Sequence, residues 1–88
     1  MTQHVFSHGT LQVLTGWDRR LGCFFLVIDE QGNDEPIYSN LEQPNPFPNT
    51  YDSYKQELED RKIPIPDGLL LALETDKLEN KGNDIKQW

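Results

Sequence analysis

Leu21-Gly22-Cys23-Phe24-Phe25-Leu26-Val27-Ile28 is the longest unbroken apolar run in the chain outside a segment with helical spacing, and it is too short to cross a membrane. Aromatic and β-branched residues fill it, and Asp29-Glu30-Gln31-Gly32 ends it with turn chemistry, so it reads as a buried central strand. Side chains alternate across a strand, which sends Cys23, Phe25 and Val27 to one face and Phe24, Leu26 and Ile28 to the other. Both faces are costly to leave wet. Whatever else the chain forms must cover them.

The neighbours follow from the same period-two reading. Leu11, Val13, Thr15 and Trp17 share a parity and mark a strand that a short polar connection, Asp18-Arg19-Arg20-Leu21, turns back into the apolar run. Pro36 to Leu41 alternates again after the turn at Gln31 to Glu35, with Pro36 tolerated where an edge strand starts. Val5-Phe6 is the candidate for a short fourth, edge strand folding back through His8-Gly9. The expected fold class is therefore α+β. Its sheet is a three-stranded antiparallel β-meander, with a four-stranded one as the alternative, and two α-helices follow, packed on one face.

Residues 42–49 carry Pro44, Pro46 and Pro48 and run extended. Asn49 is placed to cap a first helix over about Thr50 to Lys62, with Tyr51, Tyr54 and Leu58 at helical spacing. Ile63-Pro64-Ile65-Pro66 stops it, Pro66 suits the first position of a second helix bearing Leu69, Leu70 and Leu73, and Gly82 is the expected C-terminal cap. The tail 83–88 either docks through Ile85 and Trp88 or frays. At 88 residues this is one domain, divided into meander (1–41), proline-rich connection (42–49), helices (50–82) and tail (83–88).

Composition bounds the function classes. A net charge of −7 disfavours direct contact with nucleic-acid phosphate and favours protein surfaces as partners. Met1 to Phe6 has neither the basic start nor the apolar stretch of a secretory signal, and no membrane span is visible, so a cytoplasmic setting is expected. The lone Cys23 has no partner for a disulfide and reads as a small buried hydrophobe. His4 and His8, four apart in an extended segment, lie roughly 13 Å from each other, too far to share an ion bound at about 2 Å. The acidic turn around Asp29, Glu30, Asp34 and Glu35 lacks the ligand spacing of a calcium loop. No nucleophile elbow, phosphate loop or Ser/His/Asp set can be assembled, so no metal, cofactor or enzymatic chemistry is expected.

What remains are binding features. Trp17, Asp18, Arg19 and Arg20 stand at a hairpin tip, and Trp and Arg dominate protein interfaces; the plain alternative folds Trp17 over the sheet end. Asn45-Pro46-Phe47, with Tyr51 nearby, is either a small exposed epitope or a staple that ties the loop to the core through Phe47. Gly16-Trp17-Asp18-Arg19, the run Phe24 to Ile28, Tyr38-Ser39-Asn40-Leu41, Ile65-Pro66 and Gly82-Asn83 together resemble a group of short, uncharacterised bacterial proteins. That resemblance implies a bacterial origin and carries no site residue, and Arg20 departs from the proline expected there.

Three functional expectations follow. The first is a non-enzymatic protein-interaction module. The second is an acidic decoy of nucleic acid built on Asp29, Glu30, Asp34, Glu35, Glu57, Glu59 and Asp60, and the third is a small-ligand pocket using Tyr38, Tyr51 and Tyr54. Two short helices blanket only one sheet face, so a homodimer is expected across the other, with Cys23, Phe25, Val27 and Val13 at the interface and Leu11 or Leu14 contributing. The rival arrangement lays Val5-Phe6 and the Ile85 to Trp88 tail over that face and leaves a monomer.

Overall fold

A computed structural model describes residues 1–88. Its sheet has five strands in the order β4-β3-β2-β1-β5: β1 (Thr2–His8), β2 (Leu11–Asp18), β3 (Cys23–Glu30), β4 (Tyr38–Ser39) and β5 (Asp84–Gln87). Two helices, α1 (Asp52–Asp60) and α2 (Leu69–Leu78), pack on one face. The α+β class and the one-sided helix layer agree with the sequence reading, but the sheet is mixed, because β5 pairs parallel to β1 while all other pairs are antiparallel.

Two expectations about the strands need correction. Val5-Phe6 belongs to a seven-residue strand, and it is interior, with β2 on one side and β5 on the other. The middle strand is thus β2 and not the apolar run, which forms β3. At the other end, the alternation from Pro36 to Leu41 yields only a two-residue strand, because the Ser39 hydroxyl accepts the Leu41 N–H at 3.3 Å and turns the chain into a 3-10 turn over Asn40–Glu42.

The connections follow local chemistry. Gly9 adopts φ +61° in the two-residue hairpin between His8 and its partner Leu11. Between β2 and β3 the Asp18 carboxylate accepts the N–H groups of Arg20 and Leu21, at 3.0 and 3.2 Å, and so holds the tip shut from within. α1 starts two residues later than expected, with Tyr51 and not Asn49 at the capping position and no side-chain cap; the Asn49 backbone carbonyl accepts from Lys77 Nζ at 2.6 Å. Gly68 at φ +89° precedes α2, and Asn80 at φ +47° ends it in the left-handed conformation predicted for Gly82.

Register fixes the faces. His4, Phe6, Val13, Thr15, Trp17, Phe24, Leu26 and Ile28 share the helix-covered side, where the apolar ones meet Tyr51, Tyr54, Leu58, Ile63, Leu69 and Leu73 in a single core. Trp17, Phe24, Tyr51 and Tyr54 stack edge to face in series at centroid distances of 5.0, 5.4 and 5.5 Å. Thr15 spends its hydroxyl proton on the Phe25 carbonyl, at 2.7 Å, so the Tyr51 phenol is the donor in its 2.8 Å bond to Thr15 Oγ1. No buried side-chain polar atom lacks a partner.

Burial is the main reason that the phenols of Tyr51 and Tyr54 titrate well above the ordinary value; the Thr15 bond partly offsets it for Tyr51. An acid held neutral in the folded state contributes its full stability below about pH 10, the ordinary tyrosine value, and loses it as pH rises above that. Titration in base is therefore expected to leave both phenols un-ionised while the fold persists, with tyrosinate absorbance appearing together with unfolding. Smooth ionisation of all three tyrosines before the circular dichroism changes would contradict this packing.

Candidate functional site

On the side away from the helices the sheet presents Gln3, Val5, Ser7, Gln12, Leu14, Gly16, Cys23, Phe25 and Val27. Its charged strand positions are Asp18 at one end and Asp29 at the other. Four apolar side chains border this face over β3: Met1 from the start of the chain, Leu21 from the β2–β3 tip, Leu41 from the 3-10 turn and Phe47 from the proline-rich connection. That connection is anchored from below, because Phe24 N–H donates to the Pro48 carbonyl at 2.8 Å and Asn40 Nδ2 to the Pro46 carbonyl at 3.0 Å. Between the overhangs lies an apolar groove of about 270 Å³, floored by Leu14, Cys23, Phe25 and Val27. Its walls are unusually exposed for such residues: Leu21 at 58 %, Leu41 at 69 % and Phe47 at 48 %.

The residues expected to bind a partner divide. Asp18 and Phe47 line this groove. Arg19 and Arg20 are exposed and do not line it, the Arg19 guanidinium lying near Gly82. Trp17 is 5 % exposed and Tyr51 6 %, so neither presents a binding surface. The reason is parity: Trp17 pairs with Phe24 on the helix side, and its indole N–H donates to Asn80 Oδ1 at 3.1 Å. Tyr51 and Tyr54 fill the space between sheet and helices where a ligand pocket was expected.

The residues expected at the dimer interface divide as well. Phe25 and Val27 are on the open face, and Cys23 is beneath its overhangs. Val13 pairs with Ile28 and is fully buried under the helices, so it cannot contribute. Burial and the Asp18 charge raise the Cys23 thiol above its ordinary value, which fits an inert side chain. The rival cover is absent from this face, since Val5-Phe6 and residues 84–87 lie within the sheet. Of the acidic residues expected for a decoy, Asp29 is at one end of this face, and on α1 two are paired, Glu57 with Arg61 at 2.7 Å and Glu59 with Lys55 at 4.0 Å.

Sequence reasoning missed a second cluster. His4 Nε2 lies 2.7 Å from Asp76 Oδ2 on α2, and Trp88 Nε1 lies 2.9 Å from His4 Nδ1. Both ring nitrogens are engaged, so this imidazole has no free lone pair for a substrate or a metal. Separations of 72 and 84 residues leave no local pattern by which to find it. No helix is long and apolar enough to cross a membrane. Neither a family model, a curated protein nor a solved structure matches this chain.

Proposed function

We propose that the protein is a non-enzymatic interaction module that works through the open face of its sheet, and that the occupant of that face is a second copy of the chain. The observation that carries this reading is the pairing of a knob and a hole on one surface: Phe47 projects half-exposed beside an apolar groove of about 270 Å³. A two-fold axis places each Phe47 over the groove of the other copy, which is the self-complementarity that an isologous dimer requires. Strands of 7, 8, 8, 2 and 4 residues give a face of roughly 460 Å². With the overhangs that makes a small interface, below the roughly 800 Å² per partner of a standard one.

Charge favours a second copy over a basic partner. The chain carries −7, yet this face holds only Asp18 and Asp29 among its strand positions, so a cationic surface finds little to pair with there. Two copies still repel through their remaining charge, and that repulsion is screened by salt.

Light scattering at micromolar concentration is expected to give about twice the chain mass of 10.2 kDa, a value that added salt maintains or raises. Phe47→Asp is expected to return the mass to 10.2 kDa with unchanged circular dichroism, because Phe47 is half-exposed in a single chain. A native mass of 10.2 kDa at both low and moderate salt would end the proposal.

A further inference from the structure

His4, on β1, is 5 % exposed and is held between two elements that are remote in sequence, α2 through Asp76 and the β5 segment through Trp88. An indole N–H is a donor only, so His4 Nδ1 accepts and carries no proton. The single proton of the neutral ring therefore sits on Nε2 and is donated to the Asp76 carboxylate, which is itself 4 % exposed. An imidazolium carries N–H on both nitrogens, and the Trp88 indole would then meet a donor with a donor.

The charged groups around His4 are unevenly placed. Asp76, on α2, attracts an imidazolium. Lys86, the register partner of His4 on β5, repels it, and its Nζ lies 4.1 Å over the Trp88 ring. Lys81 and Asp84, paired at 3.3 Å, line a cleft shared with His4, Asp76 and Trp88 and largely cancel. Thr15 on β2, opposite His4, does not titrate. A proton thus keeps His4 on α2 and works against everything that β5 brings to it. β5 is also the strand most able to leave, because all four of its residues are exposed and its only neighbour in the sheet is β1.

We propose that His4, Asp76 and Trp88 form a proton-operated latch: neutral His4 holds the 84–88 segment on the sheet, and protonation releases it while the rest of the fold persists, freeing the edge of β1. His4, Asp76 and Trp88 lie on the helix-covered side, opposite the dimer face, to which β5 adds only Ile85 and Gln87 at the edge.

The test is nuclear magnetic resonance on ¹⁵N-labelled protein at two pH values, a higher one at which the His4 ring nitrogen shifts show a neutral imidazole and a lower one at which they show the imidazolium. At the higher pH the His4 ring is expected to show the Nε2–H tautomer. At the lower pH the exchange protection of the Trp88 amide, which donates to the Val5 carbonyl, is expected to fall about tenfold more than that of the β2–β3 amides. Trp88→Phe keeps an aromatic ring and removes the indole donor, and is expected to diminish this pH dependence to the part that Lys86 contributes. An Nδ1–H tautomer, unchanged Trp88 protection in acid, loss of all amides in step, or an undiminished response in Trp88→Phe would each overturn the latch.

Discussion

Trp17→Ala is expected to lower the free energy of unfolding by about 3–5 kcal/mol, whereas Arg19→Ala is expected to change it by no more than roughly 0.5 kcal/mol. Both residues belong to the hairpin that looks like a binding tip, but the strand period separates them. Trp17 is the last residue of β2 on the helix side, packed edge to face on Phe24 and bonded to Asn80 where α2 ends. Its removal empties one end of the core and leaves the Asn80 side chain without that donor. Arg19 is exposed at the tip and belongs to no salt bridge. Urea denaturation of the two variants measures both effects, and near-equal midpoints would contradict the placement of Trp17.

Gly16→Ala is expected to be more damaging than its single methyl suggests, at about 3 kcal/mol or more. Regular β1–β2 pairing stops at His4 with Thr15, and beyond it the Trp17 N–H donates to the Thr2 hydroxyl at 2.9 Å instead of to a backbone carbonyl. The start of β1 therefore crosses close over Gly16. A Cβ there would overlap the Thr2 carbonyl oxygen and sit 3.0 Å from the ring of Phe25. Neither neighbour gives way easily, because one is backbone and the other is the floor of the groove. Gly82→Ala is the control: its φ is ordinary and its Cβ would meet only Arg19, at 3.5 Å, so a change within about 0.5 kcal/mol is expected. Comparable midpoints for the two variants would mean that β1 does not cross β2 in this way.

The two long hairpin strands of this fold are legible because their patterns are local. Alternation over 11–17 and 23–28 assigns each side chain to a face, and the turn residues at 18–22 join them. Which face the helices take is not local. Nor is the register of β2 against β3, which pairs Val13 with Ile28 and Trp17 with Phe24 and so sets both on the face opposite Cys23, Phe25 and Val27; their mistaken roles come from that register. β5 is harder still, because Asp84-Ile85-Lys86-Gln87 is mostly polar and becomes a strand only by pairing with β1 at the far end of the sequence. The groove was half legible: Phe25 and Val27 follow from parity, whereas the folding of Leu41 and Phe47 over them depends on the bonds from Phe24 and Asn40 to the proline-rich connection.

That groove, filled by Phe47 of a second copy, is the central claim, and the most direct measurement is an isotope-filtered Overhauser experiment on a mixture of labelled and unlabelled protein. Cross-peaks between the Phe47 ring of one copy and Leu14 or Val27 methyls of the other are expected, and they should vanish in Phe47→Asp. A filtered spectrum without contacts to these residues, recorded at a concentration where the mass is twice 10.2 kDa, would show that the chain associates through some other surface and would contradict the assignment.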